Sequence, residues 1–338
     1  MTRYRKTLLA DSAEDKKYYI DFSTVRGGKV VEDLKDNISL FSDGQPTCQL
    51  FTGHIGCGKS TEILQLKQQL ENEGFHVVYF ESSQDMEMGD VDLSDVLLAI
   101  ARRVVESLEA VKVKTEAKGF RSMLNGAVKI LNTEIELSAE ADIGVGKIEA
   151  STSGEFSLSL GIGKLSAKTK DSPDMRSKLR GYMEPKTNGL LDLINNEILL
   201  PGIADLKKLG KEGIVVIVDN LDRVDDSPKP WGRPQTEYLF VDRAEQLRKL
   251  QCHVVYTMPL ALRFSSDYGT LTARFMTDPI VLPMVPVVRR DGSTHEEGIA
   301  LLRQMILSRV LPDSSPIERL NAINQVFDSL VQDKKLQK

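Results

Sequence analysis

The stretch Gly53-His54-Ile55-Gly56-Cys57-Gly58-Lys59-Ser60-Thr61 constrains this chain more than any other, because it meets the pattern G-x-x-x-x-G-K-[ST] at every fixed position. Such a pattern has physical content only in context. Cys48-Gln49-Leu50-Phe51-Thr52, just before it, has the composition of a short buried strand, and Glu62 to Leu70, just after, that of a helix. In that order, the glycines let the backbone wrap closely around an anion, while the helix aims its unpaired N–H groups and positive dipole end at the same point. The expectation is a phosphate cradle over residues 53–61. Lys59 would reach the β- and γ-phosphates of ATP as a point charge, Ser60 would complete the coordination of a bridging Mg²⁺ ion, and Thr61 would lie beside the α-phosphate. Cys57 has two readings, a thiol with a depressed pKa near a helix N-terminus or a small side chain tolerated in the loop, and the second is the ordinary one.

A second stretch complements the first. Gly213-Ile214-Val215-Val216-Ile217-Val218-Asp219-Asn220-Leu221-Asp222-Arg223 places an unbroken β-branched run before a carboxylate, which describes a strand buried on both faces in a parallel sheet. Ligands of open α/β sheets bind at the carboxyl ends of such strands. Asp219 is therefore expected to hold the Mg²⁺ through its water shell. Asp222 would either take a proton from the attacking water or pair with Arg223 and orient the loop.

With 338 residues, 41% hydrophobic and 28% charged, the chain has the balance of a soluble globular protein of one large and one small unit. Its longest apolar runs, Val96 to Ala101 and Ile214 to Val218, fall far short of a membrane span. The basic start lacks the apolar core of a signal peptide, and three scattered cysteines suit neither a disulfide framework nor a zinc site. A cytoplasmic setting is the expectation. A net charge of -5 argues against a globally basic nucleic-acid-binding face, leaving only local patches such as Lys164, Lys168 and Lys170, or Arg289 and Arg290.

Along the chain, residues 1–18 form a charged arm, Tyr19 to Phe22 an extended entry, and Val30 to Phe41 a helix. Phe75 to Phe80 reads as a strand on which His76 is a core or edge histidine, and Ser94 to Leu108 as a helix. Residues 112–172 break the rhythm. A helix through Phe120, Leu124 and Leu131 gives way to alternation at Ile135, Leu137, Ala139, Ala141, Ile143 and Val145, and again at Phe156, Leu158, Leu160 and Ile162. The pattern predicts an antiparallel hairpin inserted at the periphery of the main domain, contacting a partner or regulating the site rather than piercing a membrane or remaining disordered. Helices follow at Met175 to Tyr182, Leu190 to Leu200 and Tyr238 to Leu250, and strands at Cys252 to Thr257 and Ile280 to Leu282. The loop Asp225 to Pro234 holds the only tryptophan, Trp231, expected to pack against the sheet rather than stand exposed as a partner anchor. Amphipathic helices at Glu297 to Val310 and Ile317 to Val331 close the chain, the second opened by Ser315-Pro316.

Together, GHIGCGKST and IVVIVDNLDRV resemble the P-loop ATPases of the AAA+ and STAND superfamily, particularly its NACHT-like and KAP-like branches, over about residues 19–285 apart from the insertion. The resemblance implies a three-layer α/β core with a parallel sheet over residues 1–288, an insertion at about 112–172, and an incomplete helical lid at 289–338. It makes Asp219 the metal carboxylate, Asp222 the second acid and Thr257 the sensor-1 residue that feels the γ-phosphate. The stretch Thr24 to Gly28, with Arg26, would contact the adenine side or form a plain turn. Arg263 and Arg274 would act as fingers across a subunit boundary or stay solvated. Asn220 departs from the Asp-Glu pair of vigorous AAA+ motors, which implies slow turnover. The expected function is a Mg-ATP-binding, slowly hydrolysing regulatory ATPase whose nucleotide state controls association with itself or a protein partner. The alternatives are a P-loop small-molecule kinase, a nucleic-acid-linked ATPase of the origin-recognition or phage-defence type, and a nucleotide-locked scaffold.

Overall fold

A computed structural model of the chain describes residues 19–138 and 158–310, with Ser315, Ile317, Glu318, Asn321 and Gln325 beyond them. Five strands, β1 (Cys48–Gly53), β2 (His76–Glu81), β3 (Ile214–Asp219), β4 (His253–Thr257) and β5 (Ile280–Leu282), form one parallel sheet in the order β2-β3-β4-β1-β5. The β-branched run of β3 is buried at all six positions, between β2 and β4, as a strand covered on both faces must be. Val218 of β3 lies beside Tyr256 of β4, and Phe51 of β1 beside Thr257, so the carboxyl ends of β1, β4 and β3 share one edge of the sheet.

Parallel strands need long crossovers, and helices supply them. Before the first strand lies α1 (Val30–Ser39); between strands lie α2 (Lys59–Asn72), α3 (Leu93–Ala110), α4 (Lys118–Ser138), α5 (Leu158–Lys170), α6 (Pro173–Met183), α7 (Thr187–Leu193), α8 (Leu200–Lys208) and α9 (Tyr268–Phe275); and α10 (Glu296–Val310) follows β5. The start of α3 is fixed by a capping box, in which the Asp92 and Asp95 side chains each satisfy backbone N–H groups of the first turn. Ser315 and Glu318 make the same reciprocal bonds, in keeping with the capping order of their sequence. Two helical stretches are widened into π-turns, Ile194–Leu199 between α7 and α8, and Tyr238–Asp242 where one continuous helix was expected.

The expected hairpin is the main correction. Ile135 and Leu137 lie in α4, and Leu158, Leu160 and Ile162 lie in α5, both helical; the rest of the alternating pattern falls at residues 139–157, outside the described residues. In α5, Leu158, Ile162, Leu165 and Thr169 are buried at helical spacing while Leu160 points out. Gly163 has a packing reason as well, since a Cβ there would stand 3.1 Å from Arg102 Nε on α3. Nor do these helices stand apart: Phe120, Leu124, Leu131, Leu158, Ile162 and Leu165 belong to the same apolar core as Leu50, Val78, Val216 and Val254 of the sheet.

The described residues divide into two compact units. The smaller comprises segments at 19–31, 53–65 and from 282 onward, and the larger comprises 32–52 and 66–281. No described helix is long and apolar enough to cross a membrane.

Candidate functional site

The glycine turn follows β1 directly. A Cβ on Gly53 would lie 2.7 Å from the Leu282 carbonyl oxygen and 2.9 Å from Cys57 Sγ, so the first position of the turn has no room for a side chain. Cys57 N–H donates to the His54 carbonyl at 3.2 Å, and Gly56 and Gly58 adopt φ of +82° and +97°, which glycine reaches without strain. The helix α2 starts at once. Within its first turn the Glu62 N–H already donates to the Gly58 carbonyl at 3.1 Å, and the positive end of the helix dipole lies at the glycine turn. Lys59 folds over the turn with its Nζ donating to the carbonyls of Gly53 at 2.9 Å and His54 at 3.1 Å. His54, Ile55 and Gly56 are exposed, Ser60 and Thr61 half-buried, and Cys57 buried. Burial pushes the Cys57 thiol up, against the pull of Lys59, so it is a packed side chain rather than an activated thiol.

A brace on this turn escaped the sequence reading. Residues Ser23–Arg26 make one helical turn, closed by Gly27 at φ +82°. From it, Arg26 donates to the Cys57 carbonyl and to Glu62 Oε1 at 3.0 Å, while Tyr19 Oη donates to Glu62 Oε2 at 3.3 Å. The guanidinium also lies 4.9 Å from the Phe22 ring centre. Arg26 is thus a strut that holds a carbonyl of the turn and the first turn of α2. The only sequence signal was an acid at Glu62 and an arginine upstream.

The strand-end carboxylate belongs to the larger unit. Asp219 is buried, with Oδ2 accepting from Tyr79 Oη at 3.0 Å and Oδ1 from the Asn220 N–H at 2.7 Å. Burial and the Asp219 charge push the Tyr79 phenol up, which keeps it a donor. Beyond it, Asn220 takes a left-handed conformation and Leu221–Arg223 a short 3-10 turn that leaves Asp222 half-buried and Arg223 exposed. Thr257 is fully buried; its hydroxyl donates to the Val218 carbonyl at 3.3 Å and accepts from the Leu221 N–H at 2.9 Å. Those bonds tie β4 to the loop that carries Asp219 and Asp222.

Other candidates fall elsewhere. His76 bonds Ser107 Oγ at 2.7 Å, the satisfied histidine expected of its strand. Lys170 donates to the Ser83 and Gln84 carbonyls, and Arg289 to the Thr294 carbonyl, which weakens the case for either basic patch. Arg274 is tied to the Val241 carbonyl at 2.6 Å, and Arg263 is exposed. Trp231, expected to pack against the sheet, is 62% exposed and touches the edge of Tyr238. No family model matches the chain, and none of the curated proteins matches it significantly, so the resemblance to AAA+ and STAND ATPases rests on the sequence motifs at residues 53–61 and 214–224 alone.

Proposed function

We propose that the chain is a Mg-ATP-binding, slowly hydrolysing regulatory ATPase of the P-loop class, similar to the AAA+ and STAND type, whose nucleotide state controls association with itself or a protein partner. The observation that carries this reading is Lys59, whose ammonium rests on two backbone carbonyls of a turn shaped by left-handed glycines. Phosphate oxygens are stronger acceptors than neutral carbonyls, so a triphosphate seated on the turn would take over that ammonium. The positive dipole end of α2 would face the same anion.

Magnesium, when bound, supplies charge neutralisation across the phosphate oxygens. Ser60 would ligate it directly. Asp219 is the acid that the resemblance assigns to the metal, and it keeps lone pairs beyond those engaged by Tyr79 and Asn220. Asp222 would take the proton of the attacking water, and Thr257 would act as a positioning residue through Leu221 rather than by touching phosphate. Arg26 would stiffen the turn through the Cys57 carbonyl. With asparagine after Asp219 in place of a second acid, turnover is slow. α10 would begin a helical lid.

Incubation with Mg²⁺ and γ-labelled ATP tests the reading. Free phosphate should appear at well below one per second, under the usual range for kinases, with no other labelled product. A phosphorylated small molecule in place of free phosphate would establish the kinase alternative. Neither product, from a folded sample that also fails to bind ATP, would end the proposal.

A further inference from the structure

Within the larger unit, a cleft of about 750 Å³ opens beside Trp231, a size usual for ligand sites. The indole is displayed on a locked turn. Gly232 N–H donates to the Lys229 carbonyl at 2.7 Å, and Lys229 N–H to the Arg233 carbonyl at 2.8 Å, with Pro230 and a left-handed Gly232 fixing the bend. Lys229 anchors the turn from below by donating to the Val91 carbonyl at 2.7 Å. The ring meets Tyr238 edge-on, with centroids 5.5 Å apart. Tyr238 and Asp242, on the facing wall, begin and end the π-turn, a geometry that recurs at functional sites. A large aromatic held rigid and left open has already lost the freedom that binding would cost it.

The open charge of the cleft is negative. Its cations, Arg180, Lys229 and Arg243, are only 15%, 6% and 22% exposed, and each is engaged by a neighbour: Asp90 and Asp95, the Val91 carbonyl, and Glu184 with Tyr238 Oη. The carboxylates of Asp90, Glu184 and Asp242 stand 41%, 43% and 40% exposed. An anion would have to displace these acids from their guanidinium partners. A cation meets the solvent-facing sides of these acids, each already paired (Asp90 with Arg176, Arg180 and Lys229, Glu184 with Arg243, Asp242 with Arg233), and an exposed indole, the best aromatic partner for it.

We infer that this cleft binds a cationic side chain, arginine above all, from a basic peptide segment of a protein partner. A guanidinium can stack flat on Trp231 and still reach Glu184 or Asp242 through its in-plane N–H groups, which a lysine ammonium does less well.

Because the chain has a single tryptophan, its fluorescence reports this cleft alone. The full chain is titrated with blocked hexapeptides identical but for one central residue, arginine, lysine, glutamine or glutamate. The arginine peptide should give a saturable change in emission that weakens with added salt. Lysine should bind less tightly, and glutamine and glutamate at least about fivefold more weakly than arginine. By calorimetry, Trp231→Ala and Glu184→Gln, each checked for an unchanged thermal transition, should both reduce affinity for the arginine peptide. Equal affinity for all four peptides, preference for glutamate, or no saturation by the arginine peptide up to about millimolar concentration would overturn the inference.

Discussion

Asn220, immediately after Asp219, holds φ at +61°. Asparagine tolerates that left-handed backbone far better than glutamate, so the departure from an Asp-Glu pair has a local reason in the bend from β3 into the 3-10 turn. Tyr79 acts on the same carboxylate from β2. Replacing it, Tyr79→Phe, removes the donor and leaves Asp219 with one bond fewer, a loss expected to cost about 1–2 kcal/mol in a urea unfolding titration. An unchanged midpoint would show that the bond contributes nothing. At this scale the fixed spacing of residues 53–61 and the strand-end Asp219 could be read directly from the sequence. The Arg26–Glu62 brace and the Tyr79–Asp219 bond could not, since their partners lie 36 and 140 residues apart and no local pattern connects them.

Among the elements, the five strands were legible because apolar and β-branched runs between turn residues leave few other options. The segment at 158–170 misled because Leu158 and Ile162 satisfy both a period of two and a spacing of four. Leu165 and Thr169 settle it through the helical face that they complete. The π-turn at Tyr238–Asp242 has no sequence signature. β4 carries a consequence for pH. His253 is buried, with Nδ1 3.0 Å from Thr47 Oγ1 and Phe75 edge-on to its ring, and burial lowers its pKa to about 4. An unfolded imidazole takes up its proton near pH ~6.5. The unfolded chain therefore binds more protons between those values. His253 contributes fully above about pH 6.5, and up to about 3 kcal/mol is lost as pH falls toward 4. His76, also lowered by burial, acts in the same direction. His253→Gln should flatten the dependence of stability on pH between about 4.5 and 6.5 relative to wild type; an identical slope would contradict the assignment.

Across the molecule, the larger unit joins three distant segments through one ionic network. Arg180 on α6 donates to Asp90 and Asp95 at 2.6 Å, Arg176 reaches Asp90 at 3.2 Å, and Lys229 reaches it from the tryptophan turn at 3.4 Å. Removing one partner strands charge more severely than removing both. Arg180→Ala is expected to destabilise by about 3–5 kcal/mol, and Arg180→Ala with Asp95→Ala by less than the sum of the single losses, as measured by chemical denaturation. Additive losses would show that the pair is not coupled.

The functional account rests on Lys59 and its turn, and calorimetric titration of Mg-ATP into wild type and Lys59→Ala tests it most directly. Wild type should bind saturably, and the variant should lose at least about 2 kcal/mol, roughly a thirtyfold weaker Kd, because a triphosphate would then face the turn without its cation. Equal affinities in the two proteins, or no heat of binding from a folded wild type, would contradict it.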